Sequence, residues 1–260
     1  MATEPVVSPV ESTPVADATF KEACQYWGYL IKDDKCGTAQ LDRLLRGIAR
    51  VISKQSGPGD SPDLTPSQIA NFYRSVGGDY DVLFLETPPA SISFIYRSLG
   101  AFHSLQPAPN DDGYSTPTIP ALKPRGFVTW QTIQILLGPE EHVPFLQKAV
   151  AQFDVLDPET NTLFPKILPK ECFPEKPDDA MEEWYQGVAE RLRKDAEEDV
   201  SDKEHGPQVR VDVNEPRGRD SSDLSGEGSA DERHGAAKYF EDPLYRRTRP
   251  RPPVMRHFSK

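Results

Sequence analysis

The sequence predicts a mainly α-helical protein, with a single compact domain of about six to eight helices between a disordered N-terminal segment and a long disordered C-terminal tail. Three observations predict it. Apolar residues recur at spacings of three and four from Phe20 to Lys194. Proline and glycine break that pattern at intervals suited to helix ends. The flanks lose the pattern, and with only 37% hydrophobic residues overall, part of the chain is expected to stay outside the core. The divisions are 1–17, a disordered N-terminal segment; 18–194, the helical domain; 195–242, an acidic disordered linker; and 243–260, a basic proline-containing tail.

Phe20, Cys24, Trp27, Leu30 and Ile31 predict a first helix ending before Asp33. Leu41, Leu44, Leu45, Ile48, Val51 and Ile52 give a second helix its apolar face, with Arg43, Arg46 and Arg50 outward. In Thr65-Pro66-Ser67-Gln68 a hydroxyl cap, a proline at the first helical position and a glutamine reaching back announce a third, whose inner residues are Ile69, Phe72, Tyr73 and Val76. The stretch 79–86 fits a short helix or an extended piece equally well, and Ser91 to Gly100 resumes the helical pattern. The loop 107–124, rich in Pro, Asn, Asp and Gly, reads as long and exposed.

Phe127, Trp130, Ile133, Leu136 and Leu137 form the stripe of the next helix, and Gly138-Pro139 separates it from one with inner residues Val143, Leu146, Val150 and Phe153. Five prolines between 157 and 177 predict an extended wrap anchored by Phe164, Ile167, Leu168 and Phe173. A last helix, from Asp178 to about Glu198, carries Met181, Trp184, Tyr185, Val188 and Leu192 inward. A single very short strand pair is compatible with this pattern.

A net charge of −11 opposes general binding to nucleic acid, leaving only the basic terminus for that role. Cys24, Cys36 and Cys172 form no CxxC pair and are expected to be reduced thiols of an intracellular protein, cytoplasmic or nuclear. No membrane-spanning run and no secretory leader is expected. The tail is segregated by charge: 195–242 holds 15 acidic and 6 basic residues, whereas 243–260 holds 6 basic and no acidic ones.

No catalytic, cofactor-binding or metal-binding set emerges, and no cofactor is expected, because no nucleophile elbow, HExxH helix or phosphate loop is present. His103 and His142 read as capping or surface residues. Asp157-Pro-Glu-Thr-Asn161 begins like a calcium loop, but Thr162 and Leu168 stand where that loop needs glycine and glutamate, so a capped β-turn is expected instead. Trp27, Trp130 and Trp184 read as core aromatics. Arg247, Pro250 and Pro253 carry the spacing read by a polyproline-binding groove and form the candidate partner-binding motif.

The strings YWGYLI (26–31), LDRLLRGIARVI (41–52), LTPSQIANFYRSVGG (64–78) and IPALKPRGFVTWQTIQILLGPEEHV (119–143) resemble a domain family of filamentous ascomycete fungi whose function is unknown. The resemblance runs from about Cys24 to Glu190, and its most specific part is IPALxPxGFxxW. It implies one compact unit between low-complexity tails and supplies no ligand or catalytic residue. The expected function is a non-enzymatic interaction or scaffold module with protein partners. The alternatives are a small-ligand binder or enzyme where His103, the 107–124 loop and Arg125 converge, and association of the basic terminus with nucleic acid or an anionic surface.

Overall fold

The computed structural model describes residues 14–55, 61–108 and 113–204, together with Ala236, Tyr239 and Phe240. It is mainly helical. Seven α-helices lie in 14–204, with one π-helical turn, one 3-10 turn and one two-stranded sheet.

Helix α1, Pro14–Trp27, begins ahead of the expected domain boundary and ends earlier than the apolar spacing predicts. Gly28 stops it: at φ +58° the glycine takes a left-handed turn, and its N–H closes on Cys24 O at 3.0 Å. Leu30 and Ile31, read as the end of this helix, are extended instead. Leu30 N donates to Cys172 O at 2.8 Å and Ile31 bridges to Gly37. Helix α2, Ala39–Gln55, buries Leu41, Leu44, Leu45, Ile48 and Ile52 as its pattern requires and packs along α5.

Helix α3, Pro66–Ser75, starts on the predicted capping box. Gln68 N donates to Thr65 Oγ1, and Thr65 N donates to Gln68 Oε1 at 2.8 Å. The ambiguous stretch after Gly77-Gly78 resolves into the π turn Val82–Glu86, which puts Leu83 and Phe84 into the core. Helix α4 spans Pro89–Ser98. Strands β1, His103–Gln106, and β2, Ile119–Leu122, pair antiparallel from His103↔Leu122 to Gln106↔Ile119, so the end of the stretch read as the loop 107–124 is a strand, held by its pairing with a segment that precedes the loop. Leu64 adds a bridge to the other edge of Leu122, through two bonds of 2.8 Å.

Helix α5, Pro124–Leu137, is the centre of the molecule. Its residues Phe127, Trp130, Gln131, Ile133, Gln134, Ile135, Leu136 and Leu137 are buried, so it is enclosed nearly all round by α2, α6, α7 and β2. Backbone comes very close at its first turn: a Cβ on Gly126 would lie 1.9 Å from Phe102 O. Helix α6, Pro139–Gln152, follows at once, with Glu140 and Glu141 in its first turn where the dipole favours them.

The wrap that follows is anchored by Phe164, Leu168 and Phe173, whereas Ile167, expected inside, is 39% exposed. Its opening is the predicted capped turn, in which Asp157 Oδ1 accepts from Glu159 N at 2.8 Å and Asn161 takes φ +57°. Trp27 ties the wrap to α1, stacking on Phe164 and donating from Nε1 to Ile167 O at 2.8 Å. The last long helix, α7, spans Asp179–Glu204 and runs past the boundary at 194. Asp178 starts it by accepting from Met181 N, and its other oxygen meets Lys35 Nζ at 2.5 Å. That pair holds the Lys35 ammonium above, and the Asp178 carboxyl below, their ordinary pKa ranges.

Candidate functional site

Two aromatic helix faces meet where α5 passes α7. Trp130, on α5, has no exposed surface, and neither does Tyr185 on α7. Tyr239, from far along the chain, lies between them, Phe240 packs on Tyr185, and Ala236 is buried as well; Ala236, Tyr239 and Phe240 are helical, at 0%, 1% and 4% exposure. Positions i, i+3 and i+4 of a helix share one face, so the three enter together.

The contacts are specific. The Tyr239 ring lies 5.8 Å from Trp130, and its hydroxyl accepts from Gln134 Nε2 at 3.1 Å. Tyr185 donates from its hydroxyl to Tyr239 O at 3.5 Å, and its ring lies 4.8 Å from Phe240 and 6.1 Å from Tyr239. A buried tyrosine needs a partner for its hydroxyl, and Gln134 supplies one inside an otherwise aromatic pocket. These residues fall within the stretch read as an acidic disordered linker. The sequence carried one signal that periodicity did not weigh: Tyr239 and Phe240 are the only aromatic residues between 195 and 242.

A buried polar chain runs beside this groove. Tyr73 donates to Gln131 Oε1 at 3.0 Å, Gln131 Nε2 lies 3.5 Å from His142 Nδ1, His142 Nε2 lies 3.1 Å from Tyr80 Oη, and Tyr80 donates to Glu141 Oε1 at 3.0 Å. With His142 protonated at Nε2 every group donates to the next, a tautomer assigned from this network. Burial holds the imidazole neutral by lowering its pKa to about 3 and raises both phenols. His142 is therefore no surface cap; it is 2% exposed and joins α6 to α5 and the segment before the π turn. A neutral, buried, fully engaged imidazole fixes packing, and the cavity beside it, lined by Gln134, Gly138, Glu141 and Pro177, measures only about 60 Å³.

The other sequence candidates separate. His103 is half-buried, its Nε2 2.7 Å from Ser93 Oγ and its ring beside Tyr96, with its pKa lowered by burial against an opposing hydrogen bond to Ala101 O. Arg125 is exposed, and neither His103 nor Arg125 lines the cavity beside His142 or the larger one on α2. The larger cavity, about 380 Å³, has Arg46, Arg50 and Lys54 on one side and Pro62, Pro124 and Pro158 among its walls. Trp184, read as a core residue, is 43% exposed, whereas Trp27 and Trp130 are buried as expected. Arg247, Pro250 and Pro253 lie outside the described residues.

Among the described residues no group of three or more His, Cys, Asp or Glu could hold a metal ion, and no helix is long and apolar enough to cross a membrane. The cysteines are free, and burial pushes the Cys172 thiol up to about 11.

No curated protein and no solved structure matches the chain. One family does, across residues 28–189, more than half the chain, from the turn after α1 into α7. With the groove's two walls inside that span and its occupant beyond it, the chain belongs to the family described as Domain of unknown function (DUF7514).

Proposed function

We propose that this protein is a non-enzymatic, intracellular interaction module of fungal type, and that its domain works by holding short helical segments in the groove between α5 and α7. One observation carries the reading. The groove already holds such a segment, through two aromatic anchors, a small residue and a hydroxyl seated on Gln134. This is the form of helix-in-groove recognition, in which anchors at i, i+3 and i+4 fill an apolar channel. The buried His142 chain supports it by fixing α5 and α6 as a rigid backing.

Affinity purification with the full chain as bait, followed by reconstitution with purified partners, tests the proposal. A defined partner that binds the purified full chain without being chemically altered is the expected result. A bait lacking 243–260 separates what the Arg247-Pro250-Pro253 motif contributes, since partners of that motif should be lost with it. Failure of every recovered protein to bind once purified, with or without the tail, ends the reading.

A second reading rests on the larger cavity, where Arg50 and Lys54 stand one helical turn apart beside three prolines. It would suit a small anion with an apolar body. A thermal-shift screen of organic phosphates and carboxylates tests it: stabilisation should vanish in R50A/K54A.

A further inference from the structure

The groove and its occupant belong to different parts of the chain. Trp130, Gln134 and Tyr185 lie within the family match at 28–189, whereas Ala236, Tyr239 and Phe240 lie beyond it, separated from the end of α7 by the 31 residues 205–235. Tyr239 meets Trp130, Gln134 and Tyr185, and Phe240 packs on the Tyr185 ring. Ala236, at 0% exposure, is buried with them. These are the features of a ligand seated in a site.

Resting on the interaction-module reading, we infer that the segment carrying Ala236, Tyr239 and Phe240 is an exchangeable, built-in occupant of the groove. The partner it keeps out is a protein presenting a short helix of the same pattern: a small residue, then tyrosine three and phenylalanine four positions later. Tyrosine is specified over phenylalanine at the middle anchor because Gln134 Nε2, buried there, would otherwise lose its acceptor. Phe240 needs no such partner; it packs on the Tyr185 ring and at right angles to Tyr239, 5.1 Å away.

The tether sets the balance. A covalently linked segment acts at an effective concentration on the order of millimolar. A segment whose own Kd is about 10 µM would therefore keep the groove about 99% filled and weaken an outside competitor about a hundredfold. A partner enters by binding more tightly than the tail or when the tail is withdrawn. The device needs no chemistry, only competition between two segments of one pattern for one site.

The test uses the full chain. A fluorescent synthetic peptide of residues 232–244 is titrated into the unaltered protein and into Y239A/F240A, which vacates the groove without shortening the chain. The peptide should bind the variant at least tenfold more tightly than the unaltered protein, and a peptide with both aromatics replaced by alanine should bind neither. Changing the peptide's Tyr239 alone to phenylalanine should weaken binding to the variant about tenfold. Equal affinity for both proteins, or no binding to a variant whose circular dichroism is native, overturns the inference.

If the variant does not fold, a protease site placed within 205–235 of the otherwise unaltered chain gives the second measurement. After cleavage the fragments should part on dilution, and the labelled peptide should then enter. Fragments that never part and melt as one would make the segment a fixed piece of the core and overturn the inference. That failure leaves a module acting through another surface standing; peptide exchange without any protein partner would instead end the functional reading while keeping this one.

Discussion

His142 makes the fold sensitive to acid. Its pKa in the folded chain is lowered to about 3 by burial, from 6.5 for the free side chain, so the unfolded chain takes up the proton first as pH falls. This contribution to stability is whole above pH 6.5 and is lost progressively down to about pH 3. Between pH 7.5 and 5 it should amount to about 2 kcal/mol. Urea midpoints of the unaltered protein and H142Q across that range check it: the histidine protein should lose more stability than the glutamine variant. A flat difference between the two would show that the imidazole is not held neutral. Sequence patterning could not have placed His142, because its partner Tyr80 lies 62 positions away and a period of apolar residues does not register a buried polar one.

Short segments were legible wherever their instructions are local. Thr65 and Gln68 cap α3 through bonds spanning three residues, and T65A should cost about 1 kcal/mol, read as a lower denaturation midpoint. The end of α1 was misread because apolar spacing continues through Leu30 and Ile31. Gly28 turns the backbone there, and Cys172, more than a hundred residues away, receives the hydrogen bond of Leu30. The same non-locality hid why the first turn of α5 needs a glycine, Gly126. The β1 approach brings Phe102 O to where a Cβ would be, with Phe102 N and C also within 3 Å. G126A should therefore destabilise far more than T65A, by about 3 kcal/mol or more, with a matching fall in melting temperature. Gly47 is under similar constraint from Leu156 O at 2.6 Å.

The assembled fold behaves as one unit because its late segments reach back to its early ones. The wrap stacks Phe164 on Trp27 of α1, Lys35 meets Asp178 at the start of α7, and Arg43 of α2 pairs with Asp157 at 3.4 Å. Unfolding should accordingly be a single transition, with coincident midpoints for helical circular dichroism and tryptophan fluorescence. Separate midpoints would show that α7 and the wrap melt alone. Helical class, the two central helices Pro124–Leu137 and Pro139–Gln152 and most core residues followed from periodicity. The groove did not, because a site made by α5, α7 and a segment beyond 204 exists only once all three are folded together. Its occupant was concealed by charge: two aromatics within 195–242, which holds 15 acidic residues, do not raise its average hydropathy enough to suggest burial.

The three tryptophans occupy three different optical environments. Trp27 is buried against the wrap, Trp184 is 43% open to solvent on α7, and Trp130 lies against Tyr239. A soluble quencher should therefore extinguish Trp184 emission first, and W184F should leave a blue-shifted spectrum dominated by the two interior indoles. In that background Trp130 becomes an unlabelled gauge of the tail. Withdrawal of Tyr239 turns one face of the indole to water, and its emission should move to the red by an amount that counts the fraction of molecules whose groove stands open.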